Sequence, residues 1–339
     1  MIYVGLDLHK EFSVLSVMSE KGEVLRERKL PNNGEIKQFL HQFQEPVEVA
    51  MEASRGWYWL YDLLEQDGIS VNLSHPLKTK AIASARMKTD KIDARMLAHL
   101  LRTDLLPLSY VPQREIRMKR ELLRYRAALV RIQSGIKNRI HSILAKNNIS
   151  HDFTDLFGKA GIAFLHSLTL PEVHRLAVEG YISVLEQTRA EIDKVSKLVK
   201  TTATEDAEAV LLMSIPGISY YSALLIRSEI GDVNRFPSAK QLCSYAGLVP
   251  STYASGNRMY HGHITKQGSR WLRWILIEAV IHSLYKPGPL HDFYHRLERR
   301  KGSKIARVAT ARKLLEWIYH MLKEGKTYRQ MENWANNQR

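Results

Sequence analysis

Apolar and polar positions alternate through the first third of the chain and recur every three or four residues through the rest. Residues 2–8 (Ile-Tyr-Val-Gly-Leu-Asp-Leu), 12–17 and 24–30 read as three strands, with Gly22 at the turn between the second and third. A helix is predicted from 34 to about 43, a strand over 47–53, a helix over 57–66 and a strand over 69–73. A polar helical stretch follows. This order suits a mixed α/β sheet whose first three strands form an antiparallel meander. From residue 113 the period becomes helical. Leu122, Leu123, Leu129, Ile132, Ile136, Ile140 and Ile143 mark one face of a long helix over 113–148. One or two helices over 160–200 would complete a helical hairpin or coiled-coil insert of the kind that favours dimerisation. Helices over 203–213 and 220–230 flank Ser214-Ile215-Pro216-Gly217-Ile218-Ser219, an arrangement like a helix-hairpin-helix. The backbone around Gly217 could hold a phosphate at the start of the second helix, although a plain turn between helices has the same pattern. Residues 247–257 read as a loop after a short helix, 271–285 as an apolar helix, and Pro287-Gly288-Pro289 as a break. The segment 306–322 reads as a last amphipathic helix, and the final dozen residues as a polar, frayed tail. The expected divisions are 1–112, 113–203, 204–325 and 326–339.

Charge sharpens this outline. The 339 residues carry a net +15, but residues 113–146 alone hold +8 and residues 255–313 hold +10. Basic charge gathered in two segments is what a polyanionic partner requires, through phosphate contacts and counterion release. Arg117, Lys119, Arg120, Arg124, Arg131, Lys137 and Arg139 decorate the long helix and are candidate nucleic-acid contacts. The single cysteine, Cys243, excludes an intramolecular disulfide and fits a reducing compartment. No signal peptide and no apolar run long enough for a membrane span is seen, so a cytoplasmic protein is expected.

Four acids stand at chemically telling places. Asp7 interrupts the apolar first strand, where a carboxylate is disfavoured without a partner. Glu52 closes the fourth strand. Asp90 and Asp93, in Lys88-Thr89-Asp90-Lys91-Ile92-Asp93-Ala94, lie three apart where a helix begins, so they share a face. Like charges side by side call for a cation, and hard oxygen donors suit Mg²⁺. The plainer alternative is that Asp90 caps the helix and Asp93 is its third-residue partner. If strands one and four are neighbours, all four acids converge at one sheet end, the outline of a two-metal phosphoryl-transfer site.

A second stretch carries hydroxyls among cations: Gly247-Leu248-Val249-Pro250-Ser251-Thr252-Tyr253-Ala254-Ser255-Gly256-Asn257, followed by Arg258, Lys266, Gly268, Arg270 and Arg273. The cations could hold a phosphate under attack. Spacing alone leaves Ser244, Ser251, Thr252, Ser255 and Ser269 open as nucleophile, or as turn residues.

The motifs Gly5-Leu6-Asp7-Leu8-His9-Lys10, Met51-Glu52-Ala53-Ser54 and Lys88 to Ala94 resemble those of the DEDD transposases, insertion-sequence recombinases related to the Piv invertases. The second stretch resembles their second domain, with Gly-Leu-x-Pro, Ser-Gly, Gly-x-Ile-x-Lys-x-Gly and Leu-Arg. The resemblance implies an RNase-H/RuvC-like first domain in which Asp7, Glu52, Asp90 and Asp93 hold Mg²⁺. It also implies a mostly α-helical last domain with Ser255 as covalent nucleophile. It implies donor and target DNA and a structured guide (bridge) RNA as partners, a homodimer or homotetramer, and association with the nucleoid. Many relatives carry a cation directly after Ser-Gly, where this chain has Asn257 and then Arg258. Three other readings remain: a Mg²⁺-dependent junction-resolving nuclease using water, a non-catalytic nucleic-acid binder, and a tyrosine recombinase using Tyr253 or Tyr260. The last is disfavoured because that chemistry does not call for a carboxylate cluster.

Overall fold

β1 (Ile2–Leu8) sends Ile2, Val4 and Leu6 to one face of a sheet and Tyr3, Gly5 and Asp7 to the other. The computed structural model describes residues 1–54, 56–82, 89–255 and 258–337, and every side chain among them except those at 254, 255, 258, 261 and 333–337. β1 pairs antiparallel with β2 (Phe12–Ser19), which pairs antiparallel with β3 (Val24–Pro31). After α1 (Glu35–Leu40), β4 (Val47–Glu52) returns parallel to β1. After α2 (Trp57–Gln66), β5 (Ser70–Ser74) pairs parallel with β4, giving the order β3-β2-β1-β4-β5. The mixed sheet with its antiparallel meander therefore forms as the alternation predicts. α3 (Pro76–Ile82) and α4 (Asp90–Arg102) complete this part.

The two faces of the sheet are covered differently. Ile2, Val4, Leu6, Val49 and Met51 pack against Ile36, Phe39 and Leu40 of α1 and Trp57, Leu60 and Leu64 of α2. Burying each such side chain is worth roughly 1.5–3 kcal/mol. On the opposite face Ala50 meets Leu97 and Leu100 of α4. Gly5 lies beside Ala50 in register and lets α4 come down onto the strand. A β-carbon at Gly5 would sit 1.8 Å from the Ala94 carbonyl oxygen and 2.6 Å from the Ala98 nitrogen.

Contacts divide the chain into two units, Met1–Val111 and Pro112–Arg339. In the second, α5 (Arg114–Lys146) and α7 (Glu172–Glu205) pack as a long hairpin, with α6 (Lys159–Ser167) at its far end, where Ile136, Ile140, Leu165, Ile182 and Leu185 form a small core. α8 (Ala207–Leu212), α9 (Tyr220–Ile230) and α10 (Ala239–Tyr245) lead to a hairpin of β6 (Pro250–Ser255) and β7 (Arg258–Ile264). α11 (Arg270–Ser283), α12 (Pro289–Lys301), α13 (Ser303–Glu324) and α14 (Tyr328–Asn337) follow.

Three expectations are corrected here. A boundary at 203 is not drawn by packing, because Leu123, Val195, Val199 and Ala203 share one core with α9, α11 and α13. Residues 250–255 are a strand rather than loop, paired with 258–264; the glycines around them hid the pairing. Tyr328–Asn337 form α14 rather than part of a frayed tail, because Tyr328 and Met331 are buried. Among the described residues no helix is long and apolar enough to cross a membrane.

The approach at Gly5 yields a direct test. Gly5→Ala should destabilise the first unit by about 3 kcal/mol, through overpacking against helix backbone that has no side chain to rotate away. Urea denaturation followed by circular dichroism measures this, and a wild-type midpoint would show that α4 does not lie on β1.

Candidate active site

The close seating of α4 brings its first turn to the end of β1. Thr89 caps the helix, its hydroxyl accepting from the Ile92 amide at 3.3 Å. Capping therefore falls to Thr89 and not to Asp90, which occupies the first helical position, with Asp93 on the same face one turn on. His9 Nε2 lies 3.1 Å from Asp7 Oδ2 and 3.3 Å from Asp90 Oδ2. The His9 turn is itself anchored, since Asn32 Nδ2 donates to the His9 carbonyl at 2.8 Å and accepts at Oδ1 from Ser13 at 2.7 Å. Burial pushes the Asp7 carboxyl above its ordinary pKa; His9 pulls it down, and Asp93 and Asp90 push it further up.

Glu52 arrives by register. Leu6 pairs with Met51 in the parallel ladder, so Glu52 is the next position on β4 just as Asp7 is on β1. Strand alternation puts Glu52 on the same face as Ala50, the α4 face. The structure thus gathers Asp7 and Asp90, sets Asp93 within electrostatic reach of Asp7, and brings Glu52 to the same sheet end.

This donor set fits a divalent metal. One ligand atom from each of Asp7, His9 and Asp90 lies within 4.8 Å of the others, and the carboxylates crowd with mutual repulsion that a cation would relieve. Beside them is a cleft of 510 Å³ lined by Val14, Glu27, Arg28, Lys29, Thr89, Asp90 and Lys91. Its three cations can draw in a phosphate that the acids alone would repel. Arg95 pairs with Glu27 of β3, tying α4 to the sheet edge. His9 was missed as a site residue by sequence reasoning. Its only signal was its place two residues after Asp7, on a turn whose direction the alternation does not give.

The basic positions of the second unit divide into two kinds. Arg117 and Arg120 are 2% and 8% exposed. Arg120 donates to the carbonyls of Ser228 (2.8 Å) and Glu229 (3.0 Å). Arg124 holds the buried Glu229 carboxylate at 2.8 Å, and Ser269 donates to its other oxygen at 2.8 Å. Lys119 pairs with Asp206 at 3.0 Å and Glu115 at 2.9 Å. Lys119, Arg120 and Arg124 fasten α5 into its own fold, and Arg117 and Arg120, being buried, are corrected from nucleic-acid contacts to interior groups. Arg273 donates to the Ala246 carbonyl at 2.8 Å, and burial lowers its pKa. Arg131, Arg139, Lys266 and Arg270 remain exposed, with Lys137 half-buried.

Gly217 has φ +81°, and a β-carbon there would meet His282 of α11 at 2.5 Å, so the turn has a packing reason for its glycine. Among the hydroxyls, Ser251 donates to the His263 carbonyl at 3.0 Å, and Ser269 caps α11. Ser255 is the last residue of β6, opposite Arg258 on β7. The side chains of both, and all of Gly256, Asn257 and Lys88, lie outside the described residues.

Residues 4–148 match a family model described as a transposase, the DEDD transposase of the IS110 type, and residues 209–295 match the transposase IS116/IS110/IS902 family. The chain belongs to this DEDD transposase family. It is 27% identical to the transposase for insertion sequence element IS1328 of Yersinia enterocolitica, over 93% of this chain and 95% of that one. It is 25% identical to the transposase for insertion sequence element IS1111A of Coxiella burnetii, over 96% and 91%. A 26% identity to the transposase for insertion sequence element IS1533 of Leptospira borgpetersenii spans 68% of this chain and 70% of that one.

The transposase's basic helix makes a prediction of its own. Burial raises the Asp206 carboxyl, but the Ala209 amide, Lys119 and Arg227 outweigh it, and its pKa lies below the ordinary value. A depressed carboxylate contributes stability that is present above its unfolded pKa, about 4, and is lost as pH falls through its native value. Asp206→Asn should cost about 1 kcal/mol at pH 7, and this difference should shrink below about pH 4. Urea melts at pH 7 and pH 3 measure it. An equal deficit at both would remove the ionic contribution.

Proposed function

We propose that this transposase cuts and rejoins DNA through a phosphoserine intermediate at Ser255, with Mg²⁺ held by Asp7, Glu52, Asp90 and Asp93 in a RuvC-like domain. The observation that carries the reading is the Asp7–His9–Asp90 cluster at the crossing of α4 and β1, with Asp93 felt by Asp7 and Glu52 next in register. Mg²⁺ when bound neutralises charge on the phosphate and favours ionisation of the attacking hydroxyl. Ser255 Oγ forms a bond to phosphorus, its proton leaves, and the P–O bond to the departing 3′ oxygen breaks. A DNA 3′-hydroxyl then displaces the serine, so bond energy is conserved and no nucleotide triphosphate is needed. Arg258, Lys266, Arg270 and Arg273 are proposed to hold phosphates in the second unit, with Arg273 doing so only at the cost of its bond to Ala246.

A structured guide RNA is proposed to select donor and target DNA, and the exposed Arg139 and half-buried Lys137 on the hairpin support a backbone-binding surface of that kind. The turn at Gly217 is proposed as a further phosphate contact. Val173 and Leu176 of α7, both 74% exposed, support the use of the hairpin in a homodimer or homotetramer. The acids of one subunit would then serve the serine of another.

Ser255→Ala should abolish the covalent protein–DNA band on denaturing gels while leaving DNA binding intact. A persisting band would move the nucleophile elsewhere, and Mg²⁺-dependent cutting without any band in the wild type would point to a water-using nuclease. Glu52→Gln should slow cleavage at least about 100-fold, the several kcal/mol expected of a metal site. Unchanged cutting would exclude Glu52 as a ligand. In the absence of DNA, millimolar Mg²⁺ should raise the melting temperature of the wild type by mass action and not that of Asp90→Asn. Equal shifts would place the ion elsewhere.

A further inference from the structure

Between α5, α9 and α11 runs a groove of 720 Å³ whose lining includes Arg126, Arg131, Tyr221, Arg270, Trp271 and Trp274. Trp271 and Trp274 meet edge to face, centroids 5.9 Å apart at 78°, and form two walls at a near right angle. Trp274 is 40% exposed, an unusual state for a tryptophan set in a concave surface. The Arg126 guanidinium stands 4.6 Å over the Tyr221 ring, with Nε held by Ser196 Oγ at 2.8 Å. Tyr221 is fixed in turn by its hydroxyl, which donates to the Leu123 carbonyl at 3.2 Å. Arg270 lies 6.0 Å from the Trp271 ring. Neither Arg131 nor Arg270 has an ion-pair partner among the described residues, and no acidic residue lines the groove.

Three cations without an acid, set around the exposed Trp274 ring and the half-buried Trp271 ring, describe a particular ligand: a flat apolar body that carries negative charge. Nucleobases stack on such rings, and guanidinium groups take the adjoining phosphates. The volume lies within the roughly 300–1,000 Å³ of pockets that enclose small organic groups. It suits one or a few unpaired nucleotides and not the width of a double helix.

We propose that this groove binds unpaired nucleotides of the DNA strand, with a base against Trp274 and phosphates on Arg131 and Arg270. The choice of DNA rests on the transposase reading; the site itself depends on neither Ser255 nor a metal. A strand opened at a recombination site would be held here and kept from reannealing, which makes the groove a strand-separating element.

The test uses the full-length protein without divalent ion. Fluorescence anisotropy compares a labelled oligothymidylate, a blunt duplex of equal length and an oligouridylate. Trp274→Ala should weaken oligothymidylate binding roughly tenfold, as expected for loss of one stacking platform, and duplex binding by less than about twofold. Trp274→Phe should restore most of the loss. Arg131→Ala should weaken the same binding and flatten its salt dependence, and it serves as an independent variant should Trp274→Ala melt early. Wild-type tryptophan emission should be quenched by oligothymidylate, and less so in Trp274→Ala. Unchanged oligothymidylate affinity in both variants would overturn the proposal, as would an equal loss on duplex. A loss confined to oligouridylate would assign the groove to RNA instead. Because no cleavage is read, a failure at Ser255 or at the metal would leave these outcomes untouched.

Discussion

The molecule's chemistry depends on how closely one helix can approach one strand. Gly5 has no side chain, so the backbone of α4 lies against β1, and the first turn of that helix reaches the carboxyl end of the strand. Everything acidic in the site follows from that contact. Asp7 is two residues on from Gly5 and therefore on the same face, and Asp90 begins the helix that Gly5 admits. The parallel pairing of β4 then adds Glu52 from beyond Ala50. A bulkier residue at position 5 would separate the acids without changing any of them.

The acids were legible because each breaks a local rule: a carboxylate inside an apolar strand, one at a strand end, two at a helix start. So was the sheet, whose alternation fixed the meander and let β1 and β4 be placed side by side. The α4 capping arrangement was not. Asp90 and Thr89 are both good caps, and only the backbone at Thr89 decides that the threonine does it and the aspartate stays available. His9 was hidden for a related reason. It sits on a turn, where neither period applies, and its approach to both aspartates depends on Asn32, 23 residues away.

The basic helix shows the limit of charge counting. Arg117 and Arg120 look like any other cation on a helical wheel, yet they are buried. The partner that draws Arg120 and Arg124 inward, Glu229, is more than a hundred positions away along the chain. Lone buried acids are costly, and the Glu229 carboxylate is satisfied by the Arg124 guanidinium and the Ser269 hydroxyl, with the Arg120 guanidinium 4.0 Å away. Net charge announced a polyanion partner; which cations face it is a matter of tertiary structure. The β6–β7 hairpin was likewise obscured, since the glycines at 247, 256 and 262 weaken a strand signal that pairing restores.

The central claim is that Asp7, Glu52 and Asp90 surround one cation. Diffraction from crystals soaked in Mn²⁺, collected at the manganese absorption edge, tests it most directly. An anomalous peak bonded to oxygens of Asp7, Asp90 and Glu52 is the predicted result. A peak elsewhere, or none at saturating Mn²⁺ with these three carboxylates in place, would contradict it.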